Sequence, residues 1–356
     1  MTNNNTIDRI TQELREAAES LAPESRLPSV RELMSRHHAG PGTVQRAVSQ
    51  LVTEGLIDTR PGRGNFVAQR NSGVAPADLG WQSAVLGGRS VSTKGLEELL
   101  EVPRAGVMPL TVGYLPEDLQ PLQQLAAATA RAARRPGVWG RAPTEGVEGL
   151  RAWLARDAGT GLRAQDVLVT SGGQAALATA FRALAAPGSA VLVESPTYIG
   201  ALAAARAAGL RPVPVPTDTG GVRPDLLDET FSSSGARLFY CQSTYANPHG
   251  ATLAPDRRES VLHTVRSAGA FLIEDDPARD LFLEKDPPPS PLVSQDHEGH
   301  VVYVRSLTKF VVPGLRVGAL CARGPASARL KAARIVDDFF VAGILQETAL
   351  EFLASP

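Results

Sequence analysis

Short apolar segments alternate with helical segments through the last two thirds of this sequence. This alternation restricts the fold more than any other feature. DVLVT, AVLVE, ARLFYC, FLIEDD and VVYVR are apolar runs of strand length. Between them lie helix-like segments such as GGQAALATAFRALAA and ESVLHTVRSAGA. Buried strands separated by crossover helices form a mostly parallel sheet that is covered on both faces. We therefore predict an α/β domain over residues 106–356.

The first seventy residues have a different pattern. IDRITQELREAAESL carries apolar residues at helical spacing. Ser29 and Glu32 predict a capping box at the start of a second helix, and Pro41 suits the first position of a third. LIDTRPGRGNFVAQR then predicts a β-hairpin whose turn is residues 60–64. Three helices and a hairpin indicate a winged helix-turn-helix in residues 1–70, mainly α with a β-hairpin wing.

The remaining segment and the overall composition set the general class of protein. Residues 71–105 are rich in Gly, Ser and Pro and weakly periodic, which predicts a linker. The formal net charge of −1 gives no global field that favours a nucleic acid or a membrane. No apolar run reaches transmembrane length, so we expect no membrane partner. Cys241 and Cys321 are too few for a disulfide framework, and we expect a cytoplasmic protein.

Polar clusters follow five of the predicted strands. TSGGQ opens a helix, so its backbone N–H groups could bind a phosphate. SPTY offers an aromatic ring, YANPHG an amide, EDD carboxylates, and SLTK one of the four lysines of a chain that has 32 arginines. Ligands of open α/β sheets bind at the carboxyl ends of the strands. These groups together favour pyridoxal 5'-phosphate (PLP) bound to a lysine as a Schiff base.

The order and spacing of these motifs resemble a known family. TSGGQ, SPTY, NPHG, EDD and SLTKFVVPGLRVG are similar to the motifs of the fold-type I, aspartate-aminotransferase-like PLP proteins. Residues 7–70, with RLPSVREL and TVQRAVSQLVTEGLIDTRPGRGNFV, resemble the GntR-type DNA-binding domain. The fusion of the two resembles the MocR subfamily of GntR regulators, and the resemblance covers nearly the whole chain.

The resemblance implies a role for each matching residue. Lys309 would form the Schiff base with PLP. Asp275 would hold the pyridine nitrogen protonated, with Asp276 as the alternative. Asn247 would bind the 3-oxygen of the ring, and Tyr198 would stack on the ring. The phosphate would be held by Gly172, Gly173, Ser306, Thr308 and Arg316.

The sequence also departs from the family pattern. Pro277 stands where relatives usually carry a tyrosine that reaches the 3-oxygen, and Trp139 stands where a tyrosine commonly reaches the partner subunit's phosphate. The sequence ends at LEFLASP, so we expect the C-terminal small domain, which carries the carboxylate-binding arginine in the family, to be missing. These departures argue against amino-acid transamination.

The DNA-binding residues are predicted from the helix-turn-helix geometry. The recognition helix should span residues 41–54, with Thr43, Gln45 and Arg46 exposed at its N-terminal end. Gln can pair with adenine and Arg with guanine. The arginines suited to phosphate contacts are Arg31, Arg60 and Arg63.

The sequence therefore predicts a PLP-binding transcriptional regulator that binds double-stranded operator DNA. Reading two half-sites needs a dimer, and the resemblance implies a domain-swapped homodimer. PLP itself, or a small amine or amino-acid effector, would change operator binding. One alternative is a PLP-dependent aminotransferase with an accessory DNA-binding domain. Another is a constitutive DNA-binding protein whose second domain is only a dimerisation scaffold.

Overall fold

A computed structural model of the chain describes residues 2–60, 62–69, 78–86, 93, 95–102, 106–108, 110, 113–159, 161–283 and 285–354. The chain divides into two units, Met1–Arg89 and Ser90–Pro356. Among the described residues, no helix is long and apolar enough to cross a membrane.

The first unit contains three helices and an antiparallel hairpin. Its elements are α1 (Thr2–Ser20), α2 (Val30–His37), α3 (Pro41–Thr53), β1 (Ile57–Arg60) and β2 (Gly64–Val67). The predicted capping box is present, because the Glu32 N–H donates to Ser29 Oγ and the Ser29 N–H donates to the Glu32 carboxylate. Pro41 occupies the first turn of α3. The prediction of a winged helix-turn-helix is confirmed, although Pro61 of the predicted turn lies outside the described residues.

The buried stripe of α3 corrects one prediction. Thr43 is only 8% exposed, so the prediction that it lies on the surface is wrong. It lies in a stripe that continues through Val44, Ala47 and Leu51, which are packed in the apolar core of this unit. Amphipathic helices bury residues at this spacing, and position 43 falls on the buried side.

The predicted linker is not wholly irregular. Two short helices fall within or beside it, α4 (Gly80–Leu86) and α5 (Leu96–Leu100). Most of the other residues from 71 to 105 lie outside the described part of the chain.

The second unit is an α/β domain. Its further helices are α6 (Leu122–Ala133), α7 (Glu148–Asp157), α8 (Gly173–Leu184), α9 (Ile199–Ala207), α10 (Pro224–Ser234), α11 (Pro255–Ser267), α12 (Gly324–Asp338) and α13 (Gly343–Leu353). Its strands are β3 (Val167–Thr170), β4 (Ala190–Ser195), β5 (Arg211–Asp218), β6 (Gly221–Val222), β7 (Leu238–Cys241), β8 (Phe271–Asp276), β9 (Val301–Ser306) and β10 (Gly318–Cys321). The alternation of strands and helices begins at Val167 rather than near residue 106, because residues 122–157 contribute α6 and α7.

The eight strands form one sheet in the order β3-β10-β9-β8-β7-β4-β5-β6. The strands β5, β4, β7, β8 and β9 are parallel, whereas β10 is antiparallel to both of its neighbours. One face packs residues such as Leu272 and Phe239 against α7, α10 and α11, and the other packs residues such as Ile273 against α8, α9 and α12. The predicted mostly parallel sheet with two covered faces is therefore confirmed.

Candidate cofactor-binding site

The pairing of β10 brings three chain segments to one edge of the sheet. Gly318 at the start of β10 lies opposite both Thr170 on β3 and Ser306 on β9. The segments that follow β3 and β9 therefore meet the segment that precedes β10. The close approach requires glycine at position 318, because a Cβ atom there would lie 2.9 Å from the carbonyl carbon of Gly172. These segments carry the five predicted phosphate ligands, Gly172, Gly173, Ser306, Thr308 and Arg316.

Gly172 and Arg316 lie against each other at the start of α8. Gly172 has a φ of 91°, and a Cβ atom there would lie 2.8 Å from Arg316 Nη2. Arg316 Nη2 donates to the Ser171 carbonyl at 3.1 Å. A Cβ atom at Gly173 would lie 3.3 Å from the Ser306 Cβ, so α8 begins directly beside the end of β9. Glycine at these two positions therefore keeps a small concave space open.

The groups around this space are hydrogen-bond donors. The first turn of a helix has N–H groups without partners inside the helix, and its dipole favours an anion. Ser306 Oγ donates to Thr308 Oγ1 at 3.0 Å, which holds the two hydroxyl groups together. The Arg316 guanidinium adds a fixed positive charge. This combination of a helix start, two hydroxyl groups and an arginine fits a phosphate group.

Lys309 follows the end of β9 and is half-buried. Its Nζ atom lies 4.2 Å from the centroid of the Tyr114 ring. Burial lowers the pKa of Lys309, and the charge of Asp275 opposes this shift. A lysine with a lowered pKa has more of the neutral amine that attacks a carbonyl group. The lowered pKa is thus in the direction that a covalent role of Lys309 requires.

Asp275 is the buried carboxylate on the same side of the sheet. It is 3% exposed, and its Oδ2 atom accepts hydrogen bonds from Tyr240 Oη at 2.8 Å and Gln242 Nε2 at 2.9 Å. Burial raises the pKa of Asp275 to about 6, while the two hydrogen bonds and Lys309 act to lower it. A cationic ring nitrogen at this position would compensate the buried negative charge.

The second aspartate of the pair is directed elsewhere. Asp276 Oδ2 accepts hydrogen bonds from Tyr303 Oη at 3.0 Å and from Arg279 Nε at 2.6 Å. Successive side chains of a strand point to opposite faces of the sheet. Asp276 therefore lies on the face opposite Asp275 and is already neutralised by an arginine.

A buried amide joins two of the predicted ring-binding residues. Gln242 donates to Asp275 and accepts from the Asn247 N–H at 2.8 Å through Oε1. The side chain of Asn247 is exposed.

Tyr198 donates its hydroxyl to Gln174 Oε1 at 3.2 Å. Burial raises the pKa of Tyr198, with the charge of Asp275 as the next cause. The Tyr198 side chain packs against the apolar cluster that contains Tyr240, the residue whose hydroxyl donates to Asp275.

Three residues of this site were not predicted from the sequence. Tyr240 and Gln242 could have been found, because they alternate along LFYCQ and β7 pairs with β8 next to Asp275. Tyr114 precedes α6 and lies far from Lys309 in sequence, and no periodic pattern links the two. Trp139, which stands where relatives commonly carry a tyrosine, has a side chain that is 73% exposed.

A further buried carboxyl group, that of Glu194, contacts the backbone of Gln242 near the site. Glu194 at the end of β4 is 4% exposed and accepts the Gln242 N–H at 2.8 Å. Burial raises the pKa of Glu194 from 4.5 to about 8, and the hydrogen bond from Gln242 only partly opposes this. Glu194 is therefore protonated at neutral pH in the folded protein.

Replacing Glu194 by glutamine should flatten the pH dependence of stability. Between about pH 4.5 and pH 8, the folded protein keeps a proton that the unfolded chain releases. The free energy of unfolding therefore falls by up to about 1.4 kcal/mol for each pH unit in this window. Urea unfolding at pH 5 and pH 8 should show a smaller loss in Glu194→Gln than in the wild type. Parallel losses would contradict this. Glu229→Gln, at an exposed position on α10, is the control.

In the first unit, four of the six predicted DNA-contacting residues are exposed and form no ion pair with a residue that the structure describes. Gln45, Arg46, Arg31 and Arg63 have exposed side chains. Arg60 is held differently, since its guanidinium lies 4.7 Å from the Phe66 ring centroid and pairs with Glu24 at 3.0 Å. The start of α3 therefore presents an amide and an arginine together, as a recognition helix does.

Comparison with known proteins agrees with the division of the chain into a helix-turn-helix unit and an α/β unit. Residues 105–356 match the family of class I and II aminotransferases, and residues 3–67 match the gntR family of bacterial regulatory proteins. The chain is 29% identical to the HTH-type transcriptional regulator YisV of Bacillus subtilis, over 93% of this chain and 69% of that protein. It is 28% identical to PtsJ of Salmonella typhimurium, a vitamin B6 salvage pathway transcriptional repressor, over 100% of this chain and 75% of that protein.

A solved aminotransferase has a similar fold. LysN, an α-aminoadipate aminotransferase from Thermus thermophilus complexed with N-(5'-phosphopyridoxyl)-L-leucine, superimposes with a TM-score of 0.64 and 32% identity. The match covers 68% of this chain and 63% of that chain. The chain thus spans between 63% and 75% of the length of these three proteins.

Proposed function

This chain belongs to the class I and II aminotransferase family and carries a gntR-type regulatory domain, and we propose that PLP and an amine effector control its binding to operator DNA. The chain is a transcriptional regulator with an aminotransferase-like domain. The observation that carries the proposal is the meeting of Lys309, Asp275 and the phosphate-binding groups at one edge of the sheet.

The residues at that edge fit the parts of PLP. The donors around Gly172 suit its phosphate, and the buried Asp275 suits its pyridine nitrogen. Lys309 offers an amine whose pKa is lowered by burial. When it is bound, PLP supplies an aldehyde that reacts with amines. Tyr240 and Gln242 hold the Asp275 carboxylate in place, so the proton on the ring nitrogen would be retained.

Control of DNA binding requires two states of the regulator. An effector shifts such an equilibrium only if it binds one state more tightly than the other. In this proposal, the homodimer places its two winged helices at different half-site spacings in the two states. The homodimer is domain-swapped in this proposal. Its effector is PLP itself or a small amine or amino acid. The name of the relative PtsJ makes PLP itself one candidate.

PLP retention is the first test. The purified protein should keep PLP through gel filtration and show a visible absorption band that borohydride removes. Loss of PLP on the column would favour the scaffold alternative. Turnover of a keto acid with an amino donor would instead favour the aminotransferase alternative, which the intact pair of Lys309 and Asp275 supports.

Substitution of Arg46 should weaken sequence-specific DNA binding. An arginine that pairs with a base is worth roughly 1–3 kcal/mol, so Arg46→Ala should lower operator affinity about 5- to 150-fold and relax the preference at one base pair. Arg9→Ala, at an exposed position on α1, is the matched control. Fluorescence anisotropy with duplexes selected by the wild-type protein from a random pool measures both. Equal effects of the two substitutions would contradict the assignment of α3.

A further inference from the structure

The face of the Tyr114 ring contacts the amine of Lys309. The Lys309 Nζ atom lies 4.2 Å from the ring centroid, a distance at which an aromatic face attracts a cation. The adjacent Gly113 brings the backbone equally close, since a Cβ atom there would lie 3.3 Å from the same nitrogen. The segment before α6 therefore encloses the reactive amine on one side.

The other groups around this amine also favour a positive charge. Asp275 is the charged group whose attraction raises the pKa of Lys309 against the effect of burial. Burial raises the pKa of the Tyr198 hydroxyl, the charge of Asp275 raises it further, and Arg316 opposes the shift. Asp275 is therefore the charge that favours a cation at Lys309, while Arg316 lies at Gly172, where the phosphate is proposed to bind.

We propose that Tyr114 recognises the ammonium group of the incoming amine effector through its aromatic face. The Lys309 ammonium in this structure stands in for the ammonium of the effector. The inference rests on the proposed function. Only when Lys309 is bonded to PLP does its nitrogen cease to be the ammonium group that faces the Tyr114 ring, and the ring can then bind the ammonium of an effector. Tyr114 is then a specificity-determining residue for amines that arrive in their charged form and give up that proton before they react with PLP.

Conservative variants of the PLP-loaded full chain test this role. The probe is n-butylamine, and the readout is the concentration that changes the visible band. Tyr114→Phe keeps the aromatic face and should bind the amine within about threefold of the wild type, whereas Tyr114→Leu should bind it roughly 5- to 30-fold more weakly. Tetramethylammonium, a permanent cation that cannot bond to PLP, should compete in the wild type and in Tyr114→Phe but not in Tyr114→Leu. Equal amine affinity in the Phe and Leu variants would overturn the inference.

A measurement on the PLP-free protein gives an independent outcome. The ring stabilises the Lys309 ammonium, so Tyr114→Leu should lower the pKa of Lys309 and shift the pH midpoint of PLP capture downward. If the Leu variant does not fold, Tyr114→Trp should shift the midpoint upward, since tryptophan attracts cations best. An unchanged midpoint in the folded variant overturns the inference. Failure of the wild type to capture PLP at all overturns the proposed function instead.

Discussion

Replacing Lys309 by alanine should abolish the covalent retention of PLP. Lys309 lies at the sheet edge beside Asp275, whereas Lys285 is exposed and Lys331 is paired with Glu145. Lys94 lies outside the described residues. The wild type should give a borohydride-reducible band and a mass adduct on the peptide that contains Lys309, and the variant should give neither.

Lys285→Ala is the control for this experiment. It removes an exposed lysine of the same unit and should leave the band unchanged. A reduced adduct that forms equally in Lys309→Ala and maps to another lysine would contradict the assignment of Lys309.

Gly172→Ala should weaken PLP binding about 10- to 150-fold, the range expected when hydrogen bonds to a charged group are lost. The added methyl group would lie 2.8 Å from Arg316 Nη2 and would displace the guanidinium from the start of α8. Affinity for pyridoxal, which has no phosphate, should change little. Equilibrium titrations of the two compounds therefore separate the loss of phosphate contacts from general damage.

A matched glycine is available for comparison. Gly188 has a φ of 87°, close to the 91° of Gly172, but a Cβ atom there would meet no atom within 4 Å. Gly188→Ala thus also places an alanine at a positive φ, but without reaching Arg316. If both variants weaken PLP binding equally, the phosphate-binding role of the start of α8 is wrong.

The parts of the fold that depend on local sequence were predictable. The capping box of Ser29 and Glu32 and the proline at 41 mark helix starts without tertiary information. The short strand β10 was missed, because four residues such as GALC form a strand only through pairing with β3 and β9. Thr43 was misplaced because one turn of a helix leaves the exact edge of its buried stripe undetermined.

In the site, too, some features follow from local sequence and others only from tertiary contacts. Lys309, Asp275 and the glycines of α8 follow strands, and the ends of parallel strands share one edge, so their proximity could be predicted. The sequence left the choice between Asp275 and Asp276 open, and the structure shows that Asp276 is paired with Arg279. The assignment of Asp275 to the pyridine nitrogen stays a prediction. Tyr114 was beyond sequence reasoning, because only the tertiary fold brings its ring to the lysine.

The most direct test of the regulatory proposal is operator binding by the wild type and Lys309→Ala with and without PLP. A duplex selected by the wild-type protein from a random pool serves as the operator, and a set of duplexes with altered half-site spacing accompanies it. PLP, alone or with n-butylamine, should change the affinity or the preferred spacing several-fold in the wild type and should leave Lys309→Ala unchanged. Identical binding curves for the wild type with and without both compounds would contradict the regulatory proposal.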